Sequence, residues 1–352
     1  MDKTFDIKNY IRPNIRDLKP YRSARDDFDT GILLDANENS MGAPYSEAHG
    51  LNRYPSPYQK ELKARIAEWR GVQEHNIFVG VGSDEAIDLL FRIFCEPGKD
   101  RIITTPPTYG MYKVSAAIND VAVNEVLMTE DLNLDVEAIL ENTSPQTKLI
   151  FVCSPNNPTG NVIDQKDIQK LLENFSGIIV IDEAYIDFSD TDSWASKVND
   201  YPNLVVLQTM SKSFGLAGIR LGMAFASKEI INYMTKVKAP YNVNVLTSRY
   251  ALKAFDYIDQ INENISALKE ERKRLRKALS GLNAISKIFP SEANFLLVRV
   301  DNAKSVYEKL ASKGVIVRYR GNEPRCESCL RITVGTPEEN NKLIETLQKI
   351  LS

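Results

Sequence analysis

Lys212 stands in the run Thr209-Met210-Ser211-Lys212-Ser213-Phe214-Gly215, directly after the apolar stretch Leu204-Val205-Val206-Leu207. A lysine held at the end of a buried strand loses hydration, its pKa falls, and its neutral amine becomes a nucleophile of the kind Schiff-base chemistry requires. Taken alone, Lys212 also reads as a solvated loop lysine, the commoner fate of that residue. Two further apolar stretches give way to polar groups in the same manner. Leu149-Ile150-Phe151-Val152-Cys153 runs into Ser154-Pro155-Asn156-Asn157-Pro158-Thr159-Gly160, and Ile178-Ile179-Val180-Ile181 stops at Asp182-Glu183-Ala184-Tyr185. Short stretches apolar on both faces and separated by helical patterns read as central strands of a parallel sheet, and open sheets of that kind bind ligands at their carboxyl ends. Asn157, Asp182, Tyr185 and Lys212 are therefore expected to converge on one crevice. Singly, Asp182 also fits a helix cap or a metal ligand, and Asn157 a turn.

A candidate anion cradle lies upstream, at Gly80-Val81-Gly82-Ser83-Asp84-Glu85. Ile87, Leu90, Ile93 and Phe94 follow at helical spacing, so Ser83 is expected to cap a helix whose first amides are open to an anion. A lone Gly-x-Gly is weak evidence, and a cap serving stability alone accounts for it equally. Ser211 and Arg220 add a hydroxyl and a guanidinium beside the lysine, and arginine suits the oxygens of a phosphate. A phosphate site next to a Schiff-base lysine suggests pyridoxal phosphate.

The segments SPNNPTG at 154–160, DEAY at 182–185 and SKSFGLAGIR at 211–220 resemble the fold-type I pyridoxal-phosphate aminotransferases in kind, order and spacing. PYRSAR at 20–25, DANEN at 35–39, NRYP at 52–55, GSDE at 82–85, PTYGMY at 107–112 and CLRITVGT at 329–336 resemble the histidinol-phosphate aminotransferase family in particular. The pattern departs at Asn39-Ser40-Met41-Gly42, where that family commonly continues Asn-Pro-Tyr-Gly.

The resemblance implies an α/β fold with a mostly parallel central sheet in a large domain and a smaller α/β domain built from the N-terminal arm and the C-terminal segment. It implies that Lys212 is the Schiff-base lysine and proton shuttle, that Asp182 pairs with the pyridine nitrogen, and that Tyr185 and Asn157 hydrogen-bond the phenolic oxygen. Tyr109 would stack on the ring. Ser83, Asp84, Ser211 and Arg220 would hold the phosphate, joined by Tyr54 from the partner subunit of a homodimer. Tyr21, Asn37, Arg318 and Arg331 would hold the substrate. The implied reaction exchanges an amino group between L-histidinol phosphate and 2-oxoglutarate, in histidine biosynthesis.

Alternatives stand beside several of these roles. Tyr109 and Tyr54 also fit packed aromatics, Arg331 a solvated strand face, and Arg320 can replace Arg318. Arginines that suit an anion serve an aromatic amino-acid aminotransferase or a threonine-phosphate decarboxylase equally. A nicotinamide-dependent dehydrogenase, suggested by Gly80-Val81-Gly82, lacks the full Gly-x-Gly-x-x-Gly fingerprint and leaves Lys212 unexplained.

Composition excludes other classes. With 352 residues, 43% hydrophobic, the chain is long enough for more than one core, and a formal charge of -3 supplies no basic field for nucleic acid. No apolar span reaches membrane length, and Met1-Asp2-Lys3-Thr4-Phe5 lacks the apolar core of a signal peptide, so the cytoplasm is the expected compartment. Cys326-Glu327-Ser328-Cys329 has redox or zinc spacing, but Cys95 and Cys153 lie in unrelated segments and only His49 and His75 exist to complete a metal site, so reduced thiols and no metal are expected. No Gly-x-Ser-x-Gly elbow is present.

The elements that must position these residues follow from the periodicity. An irregular arm over 1–45 is expected to wrap over the rest rather than form a core. Residues 46–240 alternate helix and strand and form the cofactor domain, including a helix from Asp164 through Ile168, Leu171, Leu172 and Phe175. After Pro240 a long helical stretch runs to Gly281. Then come a strand over Phe295–Val300, a helix ending near Gly314, strands around Val315 and Leu330, and a final helix opened by Thr336-Pro337. Residues 241–352 with the arm make the small domain.

Overall fold

A computed structural model describes residues 6–28, 30–46 and 50–351. Seven strands make the larger sheet: β1 Ile77–Val81, β2 Arg101–Thr104, β3 Ala122–Glu125, β4 Thr147–Cys153, β5 Ile178–Asp182, β6 Leu204–Thr209 and β7 Leu221–Ala226, in the order β1-β7-β6-β5-β4-β2-β3. β2 is parallel to β3 and to β4, and β4 to β5, while β7 is antiparallel to β1 and β6. Every residue of β5, β6 and β7 is buried, which is why these strands are apolar on both faces rather than alternating.

The chain forms two compact units. One holds the described residues up to Pro97 together with Trp194–Ile258, and the other holds Gly98–Ser193 and the described residues from Asp259 onward.

In the first unit the helix Gly82–Phe94 buries Ala86, Ile87, Leu89, Leu90, Ile93 and Phe94. Ser83 is not its cap: the helix begins at Gly82, Val81 is the N-cap residue, and no side chain caps it. Ser83 thus sits in the first turn, because Gly82, with φ +71°, makes the turn one residue earlier than a serine cap requires. The N-terminal arm does more than wrap. Its short helical turns bury Ile7 and Ile15, and Ile11 is buried between them.

In the second unit four strands, β8 Ile285–Ile288, β9 Phe295–Val300, β10 Arg318–Tyr319 and β11 Cys329–Thr333, form an antiparallel sheet in the order β10-β11-β9-β8. Side chains alternate across a strand, so Leu296, Val298 and Val300 of β9 and Leu330 and Ile332 of β11 fall on one face. That face packs with Leu275, Leu279, Leu310, Leu343 and Leu347 in one core. Phe295, Leu297, Arg299, Cys329 and Arg331 occupy the opposite face.

The helix expected from Asp164 runs over Gln165–Asn174, with the Asp164 carboxylate accepting the Lys166 N–H at 2.8 Å. The long helix ends at Ser280, before Gly281, but it is two helices, Val245–Phe255 and Ile258–Ser280, interrupted at Asp256-Tyr257 where no glycine or proline marks the break.

Candidate active site

In the first unit, the loop after β6 and the start of the helix Gly82–Phe94 are bound closely together. The Gly82 N–H donates to Arg220 O at 2.9 Å. Gly82 has φ +71°, and a Cβ on Gly222 would lie 2.1 Å from the Ser83 backbone nitrogen, so both positions require glycine. Arg220 itself adopts a left-handed conformation, φ +55°. Its Nη2 donates to Asp84 Oδ2 at 3.3 Å. Half-exposed ion pairs of this kind add little to stability. Their effect is positional: a guanidinium fork is held over the first turn of a 13-residue helix whose leading amides have no intrahelical acceptor, an arrangement suited to an anion.

Ser211 is set by Thr209. The Thr209 hydroxyl accepts the Ser211 N–H at 3.1 Å and lies 2.9 Å from the Ser211 hydroxyl and 3.1 Å from Leu221 O. Lys212 is exposed, contrary to the burial expected of a strand-end lysine. The reason is local: β6 ends at Thr209, Met210, Ser213 and Phe214 take the buried positions around it, and Lys212 falls on the turn closed by Gly215 N–H to Lys212 O at 3.2 Å.

The arm residues are organised by one carboxylate. Glu38, with its side chain 3% exposed, accepts the Tyr54 N–H at 2.7 Å, Arg53 Nη1 at 2.7 Å and Arg25 Nη2 at 3.0 Å. Burial works against its charge, yet the hydrogen bonds from Tyr54 and Arg53 and the field of Arg25 hold its pKa below the ordinary glutamate value. The Tyr54 ring stacks on Tyr241 of the same chain, centroids 4.5 Å apart. A cavity of about 490 Å³ opens beside Asn37, Glu38, Tyr54 and Asn244. Tyr21, 75% exposed, lines a separate cavity of about 870 Å³ with Tyr58 and Lys238.

In the second unit, Asp182 closes β5 opposite Cys153 of β4 and is 3% exposed. Its carboxylate accepts the Tyr112 hydroxyl at 2.7 Å and the Ala184 N–H at 3.1 Å. Burial, the Asp182 charge and Cys153 push the Tyr112 hydroxyl well above its usual range, so it remains a donor. Tyr112 closes the PTYGMY segment at 107–112, in which the resemblance implies a role for Tyr109 alone. It lies three residues after Tyr109 at the start of the helix Met111–Ile118, and its ring is edge-on to Tyr109 at 5.5 Å and stacked on Phe151 at 4.6 Å.

Asn157 is buried in the loop after β4 and accepts a hydrogen bond from Arg331 Nη1. The neighbouring Asn156 ties that loop down, donating to Pro107 O at 2.8 Å and Thr159 Oγ1 at 2.7 Å. The Arg331 guanidinium lies 5.3 Å from the Phe295 ring centroid, and Tyr185 meets the same ring edge-on at 5.2 Å. Burial, reinforced by Cys153, raises the pKa of the Tyr185 hydroxyl, with Arg331 opposing. Arg331 is thus no idle strand-face residue: the outer face of the small sheet brings it to Asn157 and, through Phe295, beside Tyr185. Arg318 is its cross-strand partner.

Cys95, Cys153, Cys326 and Cys329 are buried free thiols. Among the described residues no group of three or more His, Cys, Asp or Glu is placed to hold a metal, and His49 lies outside them.

The family profile described as "Aminotransferase class I and II" matches residues 28–347. The chain is 51% identical to the histidinol-phosphate aminotransferase of Christiangramia forsetii, over 99% of each chain, and 50% identical to that of Flavobacterium johnsoniae, over 98% of this chain and 99% of the other. Among solved structures it is similar to the histidinol-phosphate aminotransferase from Clostridium acetobutylicum, with a TM-score of 0.78 and 25% identity over 85% of this chain and 91% of that one.

Proposed function

From a chain that belongs to the class I and II aminotransferase family, we propose a pyridoxal-phosphate enzyme that exchanges an amino group between L-histidinol phosphate and 2-oxoglutarate. In the biosynthetic direction glutamate aminates imidazole acetol phosphate. The observation that carries the cofactor reading is Asp182, a buried carboxylate whose oxygens are oriented by Tyr112 and the Ala184 N–H, the environment that holds a proton on a pyridine nitrogen. The glycine-limited approach of Gly82 and Gly222 to Arg220 and Ser83 fits the phosphate of the same group. The full-length identity with histidinol-phosphate aminotransferases supports the substrate.

When bound, pyridoxal phosphate supplies an electron sink for a carbanion at the substrate's reacting carbon. Lys212 provides the amine that holds the cofactor and moves the proton at that carbon. Asp182 keeps the ring nitrogen protonated, and Tyr112 keeps Asp182 in place. Asn157 and Tyr185 serve the phenolic oxygen and Tyr109 the ring face. The Ser83 and Asp84 amides, Ser211 and Arg220 hold the phosphate, with Tyr54 supplied by the partner of a homodimer. Tyr21, Asn37, Arg318 and Arg331 take the substrate. A cofactor domain over 46–240, a small domain from 241–352 and the arm 1–45, and a cytoplasmic location belong to the same reading. Among the described residues no helix is long and apolar enough to cross a membrane.

A substrate panel tests the proposal. Histidinol phosphate, phenylalanine, tyrosine and threonine phosphate, each mixed with 2-oxoglutarate, are ranked by glutamate formed. Histidinol phosphate should rank first; phenylalanine or tyrosine in first place would replace it with an aromatic aminotransferase, and carbon dioxide released from threonine phosphate with a decarboxylase.

A further inference from the structure

The β10–β11 ladder pairs Arg318 with Arg331 and Tyr319 with Leu330, and it continues one step further, where the Arg320 N–H donates to Cys329 O at 2.9 Å. Cross-strand partners share a face and successive residues alternate. Leu330 is buried in the core and Tyr319 packs against it. The ladder therefore puts Arg318, Arg320 and Arg331 together on the other face, the one that carries Phe295 against Tyr185 and presents Arg331 to Asn157.

Three guanidinium groups on one face repel one another unless an anion lies among them. The depressed pKa of Arg331 records this: burial is the first cause, Arg320 the second, and Arg318 a smaller one, with Tyr185 opposing. Arg320 has donor capacity to spare. Its Nε is buried with no hydrogen-bond partner among the described residues, and its carboxylate neighbour, Glu323, is 3.7 Å from Nη1, outside hydrogen-bonding distance. Arg299, on the same face, is already engaged, donating to Glu327 O at 3.1 Å and Arg325 O at 3.2 Å. A carboxylate offers two oxygens and one charge. A phosphate monoester offers three oxygens and about -1.5 to -2 charges, so it alone can use a third arginine.

The geometry points to Arg320 as a specificity-determining residue that, with Arg318 and Arg331, receives the phosphate of a phosphorylated amine donor, while the carboxylate of glutamate is held without it. This rests on the substrate reading above. Arginine is required rather than a bare positive charge, because its planar fork satisfies two oxygens at once.

The test compares the wild-type enzyme with Arg320→Gln and Arg320→Lys in the two separate half-reactions, and measures inorganic phosphate as an inhibitor competing with glutamate. Arg320→Gln should lower kcat/KM for histidinol phosphate about 10- to 100-fold, chiefly through KM, and weaken phosphate inhibition in parallel. The loss for glutamate should be at least tenfold smaller, and Arg320→Lys should recover part of the difference. Equal losses on both substrates, or phosphate inhibition unchanged in Arg320→Gln, would overturn the assignment. Wild-type enzyme that uses unphosphorylated histidinol as well as its phosphate would sink the substrate reading and this inference with it. A wild-type preference that survives Arg320→Gln removes Arg320 alone.

Discussion

The Tyr112 hydroxyl donates to Asp182 Oδ2 at 2.7 Å, from a fully buried ring stacked on Phe151. Both groups are shut off from solvent, so neither has water as an alternative partner. Removing the hydroxyl in Tyr112→Phe leaves the ring packing intact and strips one donor from a buried carboxylate. We predict a loss of roughly 1.5–3 kcal/mol in stability, the usual range for a hydrogen bond to a charged group, together with slower proton abstraction. Denaturant unfolding and single-turnover rates measure the two effects. Wild-type values for both would mean that the contact is idle.

Asp182→Asn tests the carboxylate itself. The amide preserves shape and an acceptor for Tyr112, so the chain should still bind cofactor, but the charge proposed to hold a ring proton is gone. A rate loss of about 10² or more in the half-reactions is expected. Stopped-flow spectra of the isolated half-reaction decide it, and unchanged rates would place the required carboxylate elsewhere.

These two residues also show what the sequence could and could not reveal. Asp182 was legible because Ile178-Ile179-Val180-Ile181 is a two-sided apolar strand that ends at it, and the carboxyl end of such a strand is where an open sheet receives its ligand. Phe295–Val300 and the Thr336-Pro337 helix start were legible for similar reasons of pattern and cap chemistry. Tyr112 was not. Seventy residues separate it from Asp182, and no local periodicity encodes a side-chain contact across that distance. The Glu38 hub was hidden in the same way, since its partners Arg25, Arg53 and Tyr54 come from separate stretches of the chain. The breaks at Gly82 and Asp256 turn on backbone geometry that residue type alone does not specify.

On the proposed function, Lys212→Ala removes the amine nucleophile and the proton carrier together. Turnover should therefore fall well beyond the ~10² to 10⁴ typical of losing general acid-base catalysis alone. Borohydride treatment of the wild-type enzyme, followed by peptide mass spectrometry, should find the reduced cofactor on Lys212. An adduct on a different lysine would refute the assignment.

Glu38 predicts a pH dependence. Its folded pKa is lowered, so its charged form stabilises the native chain at pH values above the unfolded glutamate pKa of about 4.3, and that contribution disappears as pH falls through the lower folded value. Glu38→Gln should be less stable than wild type at pH 7. The gap between the two should narrow steadily below about pH 4.3. Urea midpoints measured across that range provide the check, and a constant gap would show that the Glu38 charge is not what holds Tyr54 and the two arginines.

Tyr54 is the last element to place. Glu38 accepts its backbone N–H and Tyr241 stacks on its ring, so the half-exposed Tyr54 is held at two points. The family resemblance assigns its hydroxyl to the partner's phosphate, and a shared site of that kind makes the dimer obligatory for full activity. Tyr54→Phe keeps the stack but loses the hydroxyl. Mixed with Lys212→Ala under conditions of proven subunit exchange, it should form heterodimers in which one site combines a wild-type Lys212 with a wild-type Tyr54 from the other chain. Activity should then recover toward half the wild-type value per heterodimer. If exchange occurs and activity stays at the level of the separate variants, Tyr54 acts within its own chain, and the stack on Tyr241 is its whole role.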